Sequence, residues 1–539
     1  MYQKHFLEKI IDKDIKKGFP KENLSFRFPP EPNGYLHLGH VKSIYLNFYL
    51  AEKYKGPFIL RFDDTNPIKE ESKFIKAIKK DIKWLGFKWV KETYASDYFF
   101  ELYKLAKKLI LKGKAYVDSQ NKKEIKEQRK TSYEVGIKSP FRNRSKKENL
   151  KLFKKMKDGF FNEGECVLRA KIDMNSPNLK LRDPIMYRIL KKKHYKTKNK
   201  WVIYPTYDWA HGQNDYLEKI SHSLCTLEFK HNNPLYNWFI LQIKNKNNVI
   251  LPKQYEYSRL NLNYSIMSKK KIQILIKNKM VDNWDDPRLP TISGLRRRGF
   301  TPKSICNFIK EIGISKRENN IDISLLEFHL KKHLNQIADR VMVVFNPLTL
   351  IIENFNKTKT KWLIEKTNPN SDIYRKIPFS REIYIESKDF LETKTDNFFR
   401  LSIGQKVRLK SAFIIKAKSI IKNNNGNIKY ILCKLYNNIK KTNNKATLHW
   451  VSKKYSFPIN INFYGKLFNI KFPNKVKNFS NYVNENSKLQ AKAYAEPYLK
   501  NAKPENKYQF IRSGYFCLDK ESSSKNLIFN QIVSLQKKY

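Results

Sequence analysis

Cysteine is scarce and unpatterned. Cys166, Cys225, Cys306, Cys433 and Cys517 are all there are in 539 residues. No two have zinc-ligand or disulfide-framework spacing, which excludes a disulfide-stapled scaffold and fits a reducing cytosol. Long apolar runs are also missing. None approaches the ~20 residues that a membrane span needs. The opening stretch from Met1 to Phe19 is charged throughout and has no apolar centre, so it does not read as a signal peptide. A cytoplasmic protein is expected. Acid is the third shortage: 50 Asp+Glu stand against 108 Lys+Arg, a formal charge of +58. Such a field favours a polyanionic partner and makes binding salt-sensitive. The chain is also rich in Asn, Ile, Tyr and Phe, which points to a biased coding composition. Part of the lysine is therefore drift on solvated faces.

At this length several domains are expected. From Phe26 to about Trp89 the pattern reads strand–helix–strand–helix, the first half of a nucleotide-binding α/β fold. A less regular, charged stretch follows, with helix at 101–111 and a charged segment at 121–144. The α/β pattern resumes near Trp201-Val202-Ile203-Tyr204. Residues 271–340 read as helical, punctuated by Pro290 and Pro302. Beyond Val341 the period changes to two, as in Glu382-Ile383-Tyr384-Ile385-Glu386 and Lys406-Val407-Arg408-Leu409-Lys410, the mark of half-buried strands. Runs such as Asn423-Asn424-Asn425-Gly426-Asn427 separate them as turns. Asn/Lys tracts at 245–248 and 437–445 read as surface loops. No internal repeat is visible.

The most informative stretch runs from Phe26 to His40. Phe26-Arg27-Phe28 suits a strand, Pro29, Pro30 and Pro32 disfavour helix, and Asn33-Gly34 permits a bend. Val41, Ile44, Phe48 and Ala51 then share one helical face. A helix N-terminus after a strand is an anion site, because backbone N–H groups and the dipole favour negative charge. His37 and His40 add donors there, and Gly39 lets a flat ligand approach the backbone. Far downstream, Met267-Ser268-Lys269-Lys270 follows Ser258-Arg259-Leu260. A mobile lysine loop of this kind suits charge on a departing pyrophosphate.

Together these two motifs resemble the paired signatures of the class I aminoacyl-tRNA synthetases, and the wider wording is similar to the glutaminyl-tRNA synthetases. The resemblance spans nearly the whole chain. It includes Leu60-Arg61-Phe62-Asp63-Asp64-Thr65-Asn66-Pro67, Trp84-Leu85-Gly86-Phe87, Ser223-Leu224-Cys225-Thr226-Leu227-Glu228-Phe229, Leu295-Arg296-Arg297-Arg298-Gly299-Phe300 and Gly514-Tyr515-Phe516-Cys517-Leu518-Asp519. It implies an N-terminal extension (1–25) and a Rossmann-like catalytic domain (26–100 and 201–270). It also implies an acceptor-end-binding insertion (101–200), a helical subdomain (271–340) and two C-terminal β-barrels that bind the anticodon (341–539). The implied reaction ligates L-glutamine to the 3′ end of tRNA(Gln) through a glutaminyl-adenylate, releasing AMP and pyrophosphate. Neither step needs a protein nucleophile, so the site aligns reactants and stabilises phosphate charge.

By the same resemblance His37, His40 and Lys269 are the catalytic donors. The ATP site adds Glu31, Pro32, Asn33, Gly39, Lys42, Ser43, Thr226, Arg259, Leu260, Met267 and Ser268. Magnesium accompanies ATP as part of the substrate, with no dedicated protein metal cage. Asp63 is the candidate for the substrate ammonium group and Asp64 for a turn-capping carboxylate. Tyr207 matches the partner of the side-chain amide, with Arg27 and Gln254 as further amino-acid contacts. Arg340, Arg400, Arg408, Lys410, Gln509 and Arg512 fall on tRNA-reading positions, where splayed bases are read by their edges. Lys410 stands where Arg is usual and lacks its fork geometry. A monomer is expected.

Glutamyl-tRNA synthetases of the archaeal and eukaryotic type share this architecture and place Arg where this chain has Cys225. A glutamate pocket wants a cation, ideally a bidentate Arg. A neutral thiol does not offset the desolvation of a carboxylate but tolerates an amide. Glutamine is therefore favoured; a glutamate enzyme and a non-catalytic tRNA-binding relative are the alternatives. Two departures stand out. His211-Gly212-Gln213-Asn214-Asp215 replaces a His-Cys pair followed by two small or apolar residues and Asp. His231 replaces an Asp that reads the acceptor stem, and a neutral imidazole accepts through one nitrogen only.

Overall fold

The computed structural model describes residues 4–245, 250–395, 397–436 and 446–535. The tract at 437–445 and most of that at 245–248 lie outside the described residues. The chain divides into two compact units. One is 1–261 with 309–321; the other is 262–308 with 322–539.

The first unit is built on β1 (Phe26–Phe28), β2 (Phe58–Phe62) and β3 (Lys91–Tyr94), parallel and in that order. Parallel neighbours need a crossover, and helix α1 (Leu38–Tyr54) supplies the one between β1 and β2. Every residue of β1 and β2 is buried, as in strands covered on both faces. Arg27 pairs in register with Ile59, two residues before Arg61. The period-two alternation of strands therefore turns both arginines to one face.

Four more strands follow: β4 (Ala115–Asp118), β5 (Val167–Ala170), β6 (Ile185–Ile189) and β7 (Ile203–Pro205). They form an antiparallel sheet in that order. This corrects the sequence reading at one point. The stretch near Trp201 does not resume the parallel fold; β7 pairs with β6, and Ile203 and Tyr204 share a core with Leu168 and Tyr187. Helix α2 (Tyr207–Leu217) then leads into β8 (His222–Thr226) and β9 (Lys253–Tyr257), which are parallel to each other. Ser25 N donates to Ser221 Oγ at 3.0 Å and Ser221 N donates to Ser25 O at 3.3 Å, which ties β8 beside β1.

In the second unit the alternating strands form two seven-stranded sheets. The edge strands of one are Asp339–Val341 and Val343–Phe345; those of the other are Thr447–Leu448 and Val451–Ser452. In each case the two edges are separated by one or two residues of chain. The sheet must curl until its edges meet, which is how a barrel removes unpaired edges. The barrels are nested in sequence. The second uses strands between Pro347–Ile352 and Val451–Ser452, while the first takes its two edge strands and then Phe457–Tyr464 through Ile528–Ser534.

Candidate functional site

The turn after β1 delivers His37 as the N-cap of α1. Its Nδ1 accepts from Gly39 N at 3.1 Å, and His40 Nδ1 accepts from His37 N at 3.1 Å. The two imidazoles complete a reciprocal capping box normally made by Ser and Glu. Because each Nδ1 accepts a backbone N–H, the neutral proton sits on Nε2. The ring centroids are 3.8 Å apart. Lys42, one turn on, is buried, and its ammonium donates to Ser258 O at 2.7 Å. Burial lowers it to about 8. On the adjoining segment Arg259 pairs with Glu228 at 2.5 Å and Glu318 at 3.6 Å. Thr226 precedes the turn after β8, its hydroxyl donating to Glu228 Oε2 at 3.3 Å, and Leu260 is buried in the strand Leu260–Leu262. Asn33 Nδ2 donates to Glu31 Oε2 at 2.5 Å in the proline-rich turn.

Below that turn lies a buried ionic network. Arg27 is bidentate to Asp215 (3.1 and 3.1 Å) and donates to Leu224 O (2.9 Å) and Ser223 Oγ (2.6 Å). Arg61 reaches Asp63 (2.9 Å), Asp215 (2.9 Å) and Glu218 (2.8 Å). His211, on α2 one turn before Asp215, bridges to Asp63 Oδ2 at 3.1 Å and lies 2.9 Å from Arg27 Nη2. Burial alone would raise the pKa of Asp63, yet the Arg61 guanidinium and the His211 imidazole together outweigh it and hold the carboxyl below its usual range. Two guanidiniums, of Arg27 and Arg61, thus face three carboxylates, of Asp63, Asp215 and Glu218.

The expected amino-acid residues gather around this network. Tyr207 opens α2 and stacks on His211, with centroids 4.8 Å apart. Gln254 lies opposite Ser223 on β9 and donates to Phe229 O at 3.2 Å. Cys225, on β8, has Tyr255 O at 3.8 Å, and burial pushes its thiol well up. A cleft of about 490 Å³ opens here, lined by Glu31, Thr206, Tyr207, Glu228, Phe229 and Asn232 among others. His211, Asp215, Arg61 and Glu218 carried no assignment in the sequence reading. The signal was there in the i,i+4 pair of His211 and Asp215 on one helical face.

Asp64 is a buried tie, more than a surface cap. It accepts from Ser96 N (2.8 Å), Ser96 Oγ (2.7 Å) and Tyr195 Oη (2.5 Å). Nearby, burial and then the Asp64, Glu31 and Asp63 carboxylates push Glu70 up to about 10. A raised carboxyl pKa means that the folded state holds the proton over the range where the unfolded chain, near 4.5, has lost it. The associated stability is complete at low pH and is lost as pH rises from about 4.5 towards 10. Urea unfolding at pH 6 and pH 9 should show this slope, and Glu70→Gln should flatten it. An unchanged slope in the variant would remove the assignment.

The altered segment on α2 leaves a second mark. Gln213 and Asn214 are fully buried, and none of their side-chain N and O atoms has a hydrogen-bond partner. Gly212 lies under Tyr236, where a Cβ would meet the ring at 3.1 Å. An unsatisfied buried amide costs about 1–3 kcal/mol. Gln213→Leu is therefore expected to raise the unfolding midpoint, and thermal denaturation at neutral pH checks it. A lower midpoint would mean that the amide is satisfied by bound water.

In the second unit Ser268 is the N-cap of helix α3 (Lys269–Lys277), which follows Met267 and opens with Lys269. The six tRNA-reading candidates fall into three groups. Arg340 and Gln509 are direct register partners on adjacent strands. Arg408 and Lys410 line one cleft of about 300 Å³, where Lys410 pairs with Glu365 at 2.8 Å. Arg400 and Arg512 converge on Asp389: Arg400 Nη1 donates to Oδ1 at 2.5 Å, and Arg512 donates to both oxygens at 2.6 and 2.8 Å. His231 is exposed, and its carbonyl accepts from Asn178 Nδ2 at 2.9 Å. Among the described residues no group of three or more His, Cys, Asp or Glu is placed to hold a metal ion. Nor is any described helix long and apolar enough to cross a membrane.

The catalytic-domain profile of the tRNA synthetases class I (E and Q) matches residues 23–336, and their two anti-codon binding domain profiles match 338–436 and 447–519. The glutamine–tRNA ligase of Buchnera aphidicola subsp. Schizaphis graminum is 49% identical over 551 residues, covering 99% of this chain and 97% of that protein. The glutamine–tRNA ligase of Vibrio cholerae serotype O1 (strain ATCC 39541) is 47% identical over 545 residues, with 99% and 97% covered. Among solved structures, a glutamate-tRNA synthetase from Elizabethkingia anophelis overlays with a TM-score of 0.43 at 18% identity, over 59% of this chain and 72% of that one. With histidines capping the first crossover helix, an ionic pocket beneath them and three profiles spanning most of its length, the chain belongs to the class I tRNA synthetases of the E and Q type.

Proposed function

We propose that the chain ligates L-glutamine to the 3′ end of tRNA(Gln) at the expense of ATP, acting as a monomer in the cytoplasm. The observation that carries the reading is the buried ionic network. Its Asp63 carboxylate, held below the usual range, suits an amino-acid ammonium group, and the neutral thiol of Cys225 lies nearby in place of a cation. Tyr207, Gln254 and Cys225 then face the side-chain amide, with Arg27 a further residue of the amino-acid site that also ties β1 to β8. The Nε2–H groups of His37 and His40 donate to the ATP phosphates, aided by the turn at Glu31, Pro32 and Asn33 and by the helix start at Gly39 and Ser43. Thr226, Arg259 and Leu260 complete the nucleotide site from the other side. Lys42 serves it from below, anchoring Ser258. Lys269, with Met267 and Ser268, is assigned to the charge of the departing pyrophosphate, and Mg²⁺ enters with ATP.

The substrate carboxylate attacks the α-phosphate, the bond to pyrophosphate breaks, and a terminal ribose hydroxyl of the tRNA then displaces AMP from the activated carbonyl. Residues 101–200 hold the acceptor end, and the barrels read the anticodon through Arg340, Arg400, Arg408, Lys410, Gln509 and Arg512. ATP–pyrophosphate exchange, run with glutamine or glutamate and with or without tRNA, tests the reading. Exchange that needs glutamine and tRNA together is expected. Equal exchange with glutamate would indicate the glutamate or dual-specificity enzyme, and none at all a non-catalytic tRNA binder.

A further inference from the structure

Asp389 is fully buried in the turn Ser387–Asp389 of the nested barrel. Its carboxylate is shared by two guanidiniums that come from different places. Arg400 belongs to the same barrel; Arg512 follows strand Lys507–Phe510 of the other. Arg512 sits at φ 69°, in the left-handed region that favours glycine. A bidentate, charge-assisted grip offsets that local cost and fixes the plane of the fork. Arg512 Nη1 also lies 3.4 Å from His449 Nδ1, and His449 Nε2 lies 3.4 Å from Glu386, so the inner side of the fork is crowded with partners. The outer side is not covered: the side chains of Arg400 and Arg512 remain 36% and 28% exposed, against 0% for Asp389. Three residues before Arg512, Gln509 is in register with Arg340. One carboxylate thus ties together the two barrels and sets the direction of two donors.

We infer that Asp389 is a positioning residue for anticodon discrimination: it aims Arg400 and Arg512 at the bases without touching RNA itself. This rests on the reading of those arginines given above. The test measures aminoacylation by the full chain with two substrates, a whole tRNA(Gln) transcript and an acceptor-stem minihelix that lacks the anticodon. Asp389→Asn keeps the shape and removes the charge. Its kcat/KM for the transcript should fall about 10- to 100-fold, the worth of one or two charge-assisted hydrogen bonds. The loss should lie mainly in KM, the preference over transcripts with altered anticodons should narrow, and minihelix charging should stay within about two-fold. Asp389→Glu, which restores the charge, should recover part of the transcript activity. Equal losses on transcript and minihelix would overturn the inference in favour of a purely structural ion pair. Arg400→Ala and Arg512→Ala separate the two levels of argument. If they leave transcript kcat/KM intact, the anticodon assignment of those arginines fails. If they lower it and Asp389→Asn does not, the assignment stands and the positioning role fails. Should Asp389→Asn lower the thermal midpoint, the transcript-to-minihelix ratio of Asp389→Glu decides by the same criterion.

Discussion

Asp215→Asn is expected to cost the protein about 3–5 kcal/mol, the usual penalty for leaving buried charge without its partner. Asp215 lies between Arg27 and Arg61, and all three side chains are fully buried. Burial by itself would raise the Asp215 pKa. The two guanidiniums more than reverse this and hold the carboxyl far below its ordinary value of 3.8. Removing the charge deprives Arg27 of its bidentate partner; Tyr236 Oη also loses an acceptor at 3.0 Å. Glu218→Gln should cost less, because Arg61 keeps Asp63 and Asp215. The pH dependence gives an independent check. A depressed carboxylate contributes stability that is present above about pH 4 and is lost as pH falls through the lower folded value. Asp215→Asn should therefore be less stable at pH 7 and show a shallower loss on acidification. Urea denaturation at pH 7 and pH 3 reads both. A variant as stable as the parent at pH 7 would mean that water, not Asp215, neutralises the two arginines.

The network also shows what a sequence reveals and what it hides. Phe26–Phe28 and the helix after it were legible because proline, glycine and apolar spacing act locally. Arg27 within that strand was assigned from resemblance, and its partners were not legible: Asp215 and Ser223 lie nearly two hundred residues away and meet it only when β8 docks beside β1. The strand at Ile203–Pro205 misled for a related reason. An apolar run does not say which strand it will pair with, and pairing with β6 placed it in the antiparallel sheet. Alternation after Val341 announced sheet but not nesting, because barrel closure depends on which edges meet. Asp389 carries no local signal at all. It is one acid in a short turn, and its importance lies in Arg400 and Arg512 converging on it from separate barrels.

Cys225→Arg should shift the amino-acid preference of the enzyme by roughly 10²–10³ in the ratio of glutamine to glutamate kcat/KM, short of the ~10⁴–10⁵ that a pocket built around one polar group reaches. Cys225 is on β8, between Leu224, whose carbonyl receives Arg27, and Thr226, at the start of the following turn. Its thiol is neutral at any physiological pH because burial opposes the thiolate. A guanidinium placed there would pair with a γ-carboxylate and leave an amide facing surplus donors. Two features limit the switch. Arg27 already stands close enough to influence Cys225 and would repel a second cation. Glu256, the register partner of Cys225, would draw part of the new charge to itself, although it already accepts from Asn233 at 2.7 Å and Gln254 at 2.9 Å. Glutamine use should therefore collapse further than glutamate use rises. Cys225→Arg combined with Glu256→Gln should favour glutamate more than Cys225→Arg alone. Pyrophosphate exchange with each amino acid, in the presence of tRNA, measures both effects, and an unchanged ratio in Cys225→Arg would remove Cys225 from the specificity argument.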